Sequence, residues 1–352
     1  MTEEISTTSD MSVSMTTTGV TQITGGQNTL ISSPSRGIEF YFQCSVLVIG
    51  VIGTVTNALI LYALVASKQH KKHVLIVSQN ALDFFSSVFT IITYSLQLCN
   101  IHLTGSIGYW LCTLLLSERL SWSGFVGSSI NLAAISVERY LKVVHRTWSK
   151  KHLRKWMIYS AAAFAWIGPI TQGLAQVFPT TKVIDGVCYA YGFWGNEKAP
   201  IAIIIWSFVS FYVIILVIFI FCYWRILAVI RHQARVMAGH GASAGSSYNP
   251  IQTSVIKTMV FVSLLYAITF LPNYVCALLM SLNPNLPLLN GTVYYVSIFI
   301  AFLYICINPF IYATKLDPVK EILLRMIPCK KISEEATERV GTARAGNVMT
   351  QR

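Results

Sequence analysis

Charge is what this chain has least of. Asp, Glu, Lys and Arg make up 11% of its 352 residues while hydrophobic residues make up 54%, and the mean hydropathy is +0.58. So thin a polar complement cannot cover a soluble globule of this length, which excludes that class. The apolar segments also lack the alternation of polar and apolar positions that a membrane-spanning strand needs, which excludes a closed barrel. Residues 1–37 are dense in Ser and Thr and poor in large apolar side chains; they cannot bury a core and are expected to be disordered outside the cell. No basic-then-apolar signal sequence precedes the first apolar run, so that run is expected to direct insertion itself.

What is present is a set of apolar runs near 40–67, 74–98, 109–141, 156–178, 200–225, 255–281 and 292–313. Each is long enough for a helix of about 20 residues, the length that crosses a bilayer. Basic residues alternate between the connections. Lys68, Lys71 and Lys72 lie in the first, Lys142, Arg146, Lys150, Lys151, Arg154 and Lys155 in the third, and Arg225, Arg231 and Arg235 in the fifth. Lys315, Lys320, Arg325, Lys330 and Lys331 follow the seventh run, whereas Lys182 and Lys198 are offset by Asp185 and Glu197. The bias places the amino terminus outside and the carboxyl terminus inside. It also accounts for the net charge of +12 through orientation and anionic lipid, without nucleic acid.

The expected architecture is an all-α membrane protein, a seven-transmembrane helix bundle over 38–314. A short amphipathic membrane-surface helix over 315–329 and a disordered cytoplasmic tail over 330–352 follow it. Asp317 can cap that short helix with Pro318 in its first turn, and Leu316, Val319, Leu323, Met326 and Ile327 share one face. Cys329 beyond it is a candidate for palmitoylation, an unmodified thiol being the alternative. The connection 226–254 is Gly/Ser-rich and reads as a flexible inner loop. On the outer side, Cys112 and Cys188 are expected to form a disulfide, with free thiols as the alternative and Cys44 and Cys99 as the competitors. The Asp185-Gly186 pair between β-branched and aromatic residues suggests a hairpin over the mouth. Asn290-Gly291-Thr292 is a glycosylation sequon.

Polar groups at membrane depth are costly, so each needs a partner or a function. Asn57, Asp83 with Asn80, Asn131 and Asn308 are expected to form a polar network, with Asp83 able to bind a cation or to exchange a proton. Helix-to-helix knitting alone is the alternative for any single Asn. Pro272 and Pro309 permit kinks in the sixth and seventh runs. The third run ends in "SVERYLKVVHR", which puts Glu138 and Arg139 at the cytoplasmic edge. There Arg139 can reach water, its neighbouring carboxylate or an incoming partner; an anchor in the headgroups is the plainer reading.

Glu138-Arg139-Tyr140 and Asn308-Pro309-Phe310-Ile311-Tyr312 resemble the two signature motifs of rhodopsin-like (class A) G-protein-coupled receptors. The resemblance runs through all seven runs: Asn57, the sodium-site Asp83, Trp166, Pro272, and Tyr223 as the fifth-span Tyr that meets the Arg on activation. It also covers the Cys112–Cys188 disulfide and an eighth helix. It implies a plasma-membrane receptor that binds an extracellular ligand and acts on a heterotrimeric G protein, with arrestin as a further partner through Ser333, Thr337, Thr342 and Thr350. There are departures. Phe270 replaces the toggle Trp, Ile215 stands where a Pro is usual, and Gln252 or a neighbour stands where some members carry an acid that locks the Arg. Cys112 lies about two residues too far from Arg139, which implies a local bulge or a shifted helix end. Ser121 in place of an Asp argues against a monoamine ligand, and Phe302 in place of a Lys argues against covalent retinal. Tyr94, His102, Glu118, Arg119, Ser121 and Trp122 are the candidate ligand contacts at the mouth, suiting a peptide or a small polar molecule, although Glu118 and Arg119 can instead pair with each other or with headgroups. An ion-linked transporter or channel is the competing class, weakened by the lack of an inverted repeat or a ring of charges. An enzyme would need clustered His and carboxylates or an activated Ser, which the sequence does not show.

Overall fold

The computed structural model describes residues 35–71, 73–99, 101–196, 198–239, 250–282, 291–315 and 317–326, in places, such as 251–259 and 311–315, by backbone alone. The amino-terminal segment 1–34, the tail from 327, Asn290 and Cys329 lie outside them. Lipid offers no hydrogen bonds, so a run that is apolar at nearly every position closes its backbone groups within itself. The result is α1 (Ser35–Ala66), α2 (Val74–Leu98), α3 (Gly105–Leu111), α4 (Arg119–Val144), α5 (Arg146–His152) and α6 (Lys155–Thr180). The hairpin β1 (Lys182–Ile184) and β2 (Val187–Tyr189) comes next, then α7 (Ala199–Phe208), α8 (Ile214–Gly239), α9 (Pro250–Leu282), α10 (Gly291–Lys315) and α11 (Asp317–Met326).

Among the described residues, six stretches are long and apolar enough to cross a membrane: 37–66, 74–98, 105–144, 199–233, 260–282 and 292–310. The expected fourth crossing, α6, is a 26-residue helix that is not among them, since Thr171, Gln172 and Gln176 dilute its apolar face. Its buried residues Ala162, Ala165, Pro169, Gly173 and Val177 recur at helical spacing as a seam of mostly small side chains. Small residues let helices approach closely where lipid supplies no hydrophobic drive. A Cβ at Gly127 of α4 would come within 2.4 Å of the Ala165 backbone oxygen. Gly127→Ala is therefore expected to lower the unfolding free energy by about 1–3 kcal/mol, read as a depressed melting midpoint in lipid nanodiscs; an unchanged midpoint would show that the seam has slack.

Unlike a soluble protein, the bundle exposes large apolar side chains and buries many polar ones beside its hydrophobic core. Asn57, Gln79, Asn80, Asp83, Asn131 and Asn308 are all 0% exposed, while Ile220 and Trp224 on α8 are 68% and 69% exposed. Apolar side chains face outward because the surroundings are hydrocarbon, and polar ones turn in to find each other. At the centre, α4 packs against α2, α6, α8 and α9.

The expected single helix over the third run is interrupted. A π-helical turn, Cys112–Leu116, follows α3, and the chain breaks at Ser117–Glu118 with Glu118 in the left-handed region (φ 57°) before α4 begins. A π turn takes one extra residue, and the break accommodates the second of the two surplus residues between Cys112 and Arg139. The fifth run also carries a π turn, Val209–Val213, although Ile215 replaces the usual Pro. Two tyrosines bridge this turn to α9: Tyr266 donates to the Phe211 carbonyl, and Tyr212 donates to Ala267 O at 2.9 Å.

Cys112 and Cys188 are disulfide-bonded, with Cα atoms 5.4 Å apart. The hairpin is antiparallel with Val183 opposite Cys188, and Asp185 (φ 51°) and Gly186 (φ 78°) make its tight turn. A Cβ on Gly186 would lie 2.1 Å from His102 Nε2, so the first outer loop rests directly on the turn, where Leu103 N also donates to Gly186 O at 3.0 Å.

Candidate functional site

At the end of the bundle away from the hairpin, the last helical turns of α4 present Glu138, Arg139 and Tyr140. Glu138 is ion-paired with Lys142 one turn on, the only such pair among the described residues. Of the partners open to Arg139, the neighbouring carboxylate is thus taken by Lys142, which the i,i+4 geometry favours. The buried Arg139 Nε has no hydrogen-bond partner. Tyr223 of α8 is held nearby, its hydroxyl 2.7 Å from Ser136 Oγ and accepting from Ser263 Oγ at 3.1 Å. Tyr140 meets His145 Nε2 at 3.0 Å and packs on Phe221. The side chain of Tyr312 and that of Gln252 lie outside the described residues.

At mid-depth, Asn308 Nδ2 donates to Asp83 Oδ2 at 3.1 Å, tying α10 to α2 one residue before Pro309. Asn131 donates to Gln79 Oε1 (2.9 Å) and Leu75 O (2.8 Å), and Gln79 donates to Ser128. Asn57 turns instead to backbone, donating to Gly53 O at 2.9 Å and Ile305 O at 3.1 Å. Only Asn308 of the predicted amides thus bonds Asp83 directly. Gln79 and Ser128 are members the sequence reading missed. Gln79 lies one turn from Asp83, and an amide at that depth was the available signal. Oδ1 of Asp83 and of Asn308 are buried without partners, as are Oδ1 of Asn57, Asn80 and Asn131. Orphan oxygens on a carboxylate and amides are a donor set suited to a hard monovalent cation such as sodium. Outward of this layer, Phe270 meets Phe125 and Tyr304 edge-on and Tyr266 at a tilt, at centroid distances of 6.0, 5.4 and 4.9 Å, two residues before Pro272.

Nearest the hairpin, Glu118 is 1% exposed and Ser121 1%. Among the described residues Glu118 and Arg119 form no ion pair with each other. Glu118 accepts from Gln97 Nε2 (3.3 Å) and Trp122 Nε1 (3.2 Å). Arg119 reaches up to Tyr191, donating from Nε to its hydroxyl and lying 4.8 Å over its ring. The break at Glu118 turns the two neighbours in different directions. Burial pushes the Tyr191 hydroxyl above the usual tyrosine range, so it stays protonated, with Arg119 opposing the shift. Tyr94 is 1% exposed and sits edge-on to Phe302, as does Trp122.

A bundle of apolar helices with a buried carboxylate at its middle, a disulfide-tethered hairpin at one mouth and, at the other, an arginine whose Nε has no partner among the described residues is the arrangement of a seven-helix membrane receptor. Residues 56–312, well over half the chain, match the family described as 7 transmembrane receptor (rhodopsin family), and the chain belongs to that family. It is similar to C-C chemokine receptor type 8 of Mus musculus, 25% identical over 289 residues covering 79% of this chain and 76% of the relative. The Homo sapiens receptor of that name is 25% identical over 300 residues, covering 81% and 77%. Adenosine receptor A3 of Bos taurus is 23% identical over 204 residues, covering 57% and 63%. The chain is accordingly a multi-pass membrane receptor and not an enzyme.

Proposed function

We propose that this receptor resides in the plasma membrane with its amino terminus outside, and transmits binding of an extracellular ligand to a heterotrimeric G protein. The observation that carries the reading is Arg139 at the inner edge without an internal partner among the described residues, next to a Tyr223 hydroxyl held by Ser136 and Ser263. Such a pair can be exchanged for contacts with an incoming partner at little internal cost. Asp83 and Asn308 couple the helices between that edge and the outer mouth. The ligand class is a peptide or a small polar molecule, neither a monoamine held through Ser121 nor covalent retinal. The names of the similar receptors, which refer to a C-C chemokine and to adenosine, fall on both sides of that choice. Arrestin recruitment, Cys329 acylation and Asn290 glycosylation belong to the same reading. So does a fourth crossing by α6, and α11 resting on inner-leaflet lipid with Val319 buried and Lys320 exposed. Nucleotide exchange across a panel of G proteins, in membranes containing the chain, tests the proposal: exchange above that of empty membranes supports it, and silence there together with silence in arrestin recruitment across a ligand library overturns it.

The unpartnered oxygens around Asp83 further support a sodium ion at mid-depth, held by Asp83 and Asn308, where it would stabilise the ligand-free packing. Replacing choline chloride by sodium chloride at equal ionic strength is expected to stabilise the receptor by on the order of 1–3 kcal/mol. Asp83→Asn should abolish that increment; a variant that retains it would remove Asp83 from the site.

A further inference from the structure

We propose that Glu118 is the counter-ion for a cationic group on the ligand, a protonated amine or a guanidinium, received between Glu118 and the aromatic side chains of Tyr94, Trp122 and Phe302. The inference rests on the receptor reading and supplies the ligand chemistry that reading leaves open.

Glu118 is a buried acid whose hydrogen-bond partners, Gln97 and Trp122, are both neutral. Among the described residues no ion pair involves it. The neighbouring guanidinium favours the carboxylate by its charge but makes no ion pair with it: it is committed to Tyr191, and the Arg119 stem lies against Gly173, where a Cβ would come within 2.5 Å of Arg119 Cδ. A desolvated carboxylate with only neutral donors is an expensive arrangement, and a cation is what relieves it. Two further polar groups there are buried: the Tyr94 hydroxyl, which interacts with Glu118, and the Ser121 hydroxyl, which has no hydrogen-bond partner among the described residues. A carboxylate and two hydroxyl oxygens are acceptors for the several N–H donors of an ammonium or guanidinium group. The walls favour the same charge, since Trp122 and Tyr94 meet the Phe302 ring at 5.8 and 5.9 Å and aromatic faces attract cations. Backbone geometry agrees. Glu118 is held at φ 57°, a conformation unfavourable for a residue with a side chain, in the break between the π turn and α4. The acid lies three residues, about one helical turn, outward of Ser121, so it meets a cation at a different depth from the one at which amine receptors place theirs.

The test reads charge selectivity without knowledge of the natural ligand. Ser121→Cys is introduced into the full chain in nanodiscs. Its modification rate is measured with a trimethylammonium-bearing and with a sulfonate-bearing methanethiosulfonate, after subtraction of the parent chain's background. The cation-to-anion rate ratio is expected to fall at least about tenfold when Glu118→Gln is added, the scale of a charge acting at short range in a partly desolvated site. Gln97→Lys, which supplies an internal ammonium beside an intact Glu118, should produce the same fall and covers the case in which Glu118→Gln does not fold. Argininamide and n-butylammonium, used as protectants, distinguish a peptide side chain from a small amine as the source of the cation. A ratio unmoved by Gln97→Lys or by a folded Glu118→Gln variant, or a Cys at 121 that neither reagent reaches, overturns the proposal. No G protein enters this readout, so a failure of nucleotide exchange and a failure of cation selectivity are separately visible.

Discussion

Arg139→Ala is expected to reduce receptor-dependent nucleotide exchange at least about tenfold, toward the level of empty membranes, while the melting midpoint and the ligand-side chemistry stay nearly unchanged. The reason lies in what the guanidinium does and does not touch. Its Nε has no acceptor among the described residues, and the adjacent carboxylate is occupied by Lys142. Among the described residues, removing the side chain therefore breaks no hydrogen bond that its Nε makes within the bundle. Loss of a contact made only with the partner appears entirely in coupling, where 1–3 kcal/mol corresponds to roughly 5–150-fold. Glu138→Gln is the internal control. It breaks an ion pair whose lysine is 38% exposed, and such pairs contribute about 0–1 kcal/mol, so exchange should change far less. Equal losses in the two variants would mean that the inner edge acts through its net charge and that Arg139 has no specific role.

The largest effect on stability is expected from Cys112→Ser. The disulfide joins residues separated by 76 positions, a loop whose closure entropy corresponds to about 4 kcal/mol. Without the tether, the hairpin is held over the mouth by weaker contacts such as the Leu103–Gly186 backbone bond, the His102 contact and the Arg119–Tyr191 pair. The receptor should melt at lower temperature and reach the cell surface in smaller amounts, and Cys188→Ser should match it. The double variant should be no worse than either single one, because both remove the same bond. A double variant markedly less stable than the singles would show that each thiol packs for its own sake.

The helices were legible because lipid allows few alternatives: an apolar run of sufficient length must close its own hydrogen bonds. Asp83 was legible for the complementary reason, that a carboxylate in hydrocarbon demands an explanation. Partner choice was not. Which oxygen Asn57 or Asn131 turns toward depends on interhelical distances of a few ångströms, set by packing residues such as Gly127 and Ala165 rather than by the amides themselves. The surplus between Cys112 and Arg139 pointed to a bulge. It could not indicate that the surplus divides between a π turn and a left-handed Glu118, nor that the divided helix would bury the acid and send its neighbour upward. The short inner helix α5 was missed because a basic segment after the third run reads as a loop when its charges are taken only as orientation signals.

The interrupted third helix has a practical bearing on comparison with relatives. Counting outward from Arg139 and counting inward from Cys112 give different residues the same structural address, and the two schemes part company between Leu116 and Arg119. A ligand-contact map copied from a receptor with an unbroken helix would be in phase below that point and out of phase above it. It would lead a medicinal chemist to design toward the wrong wall of the vestibule unless the numbering were restarted at the break.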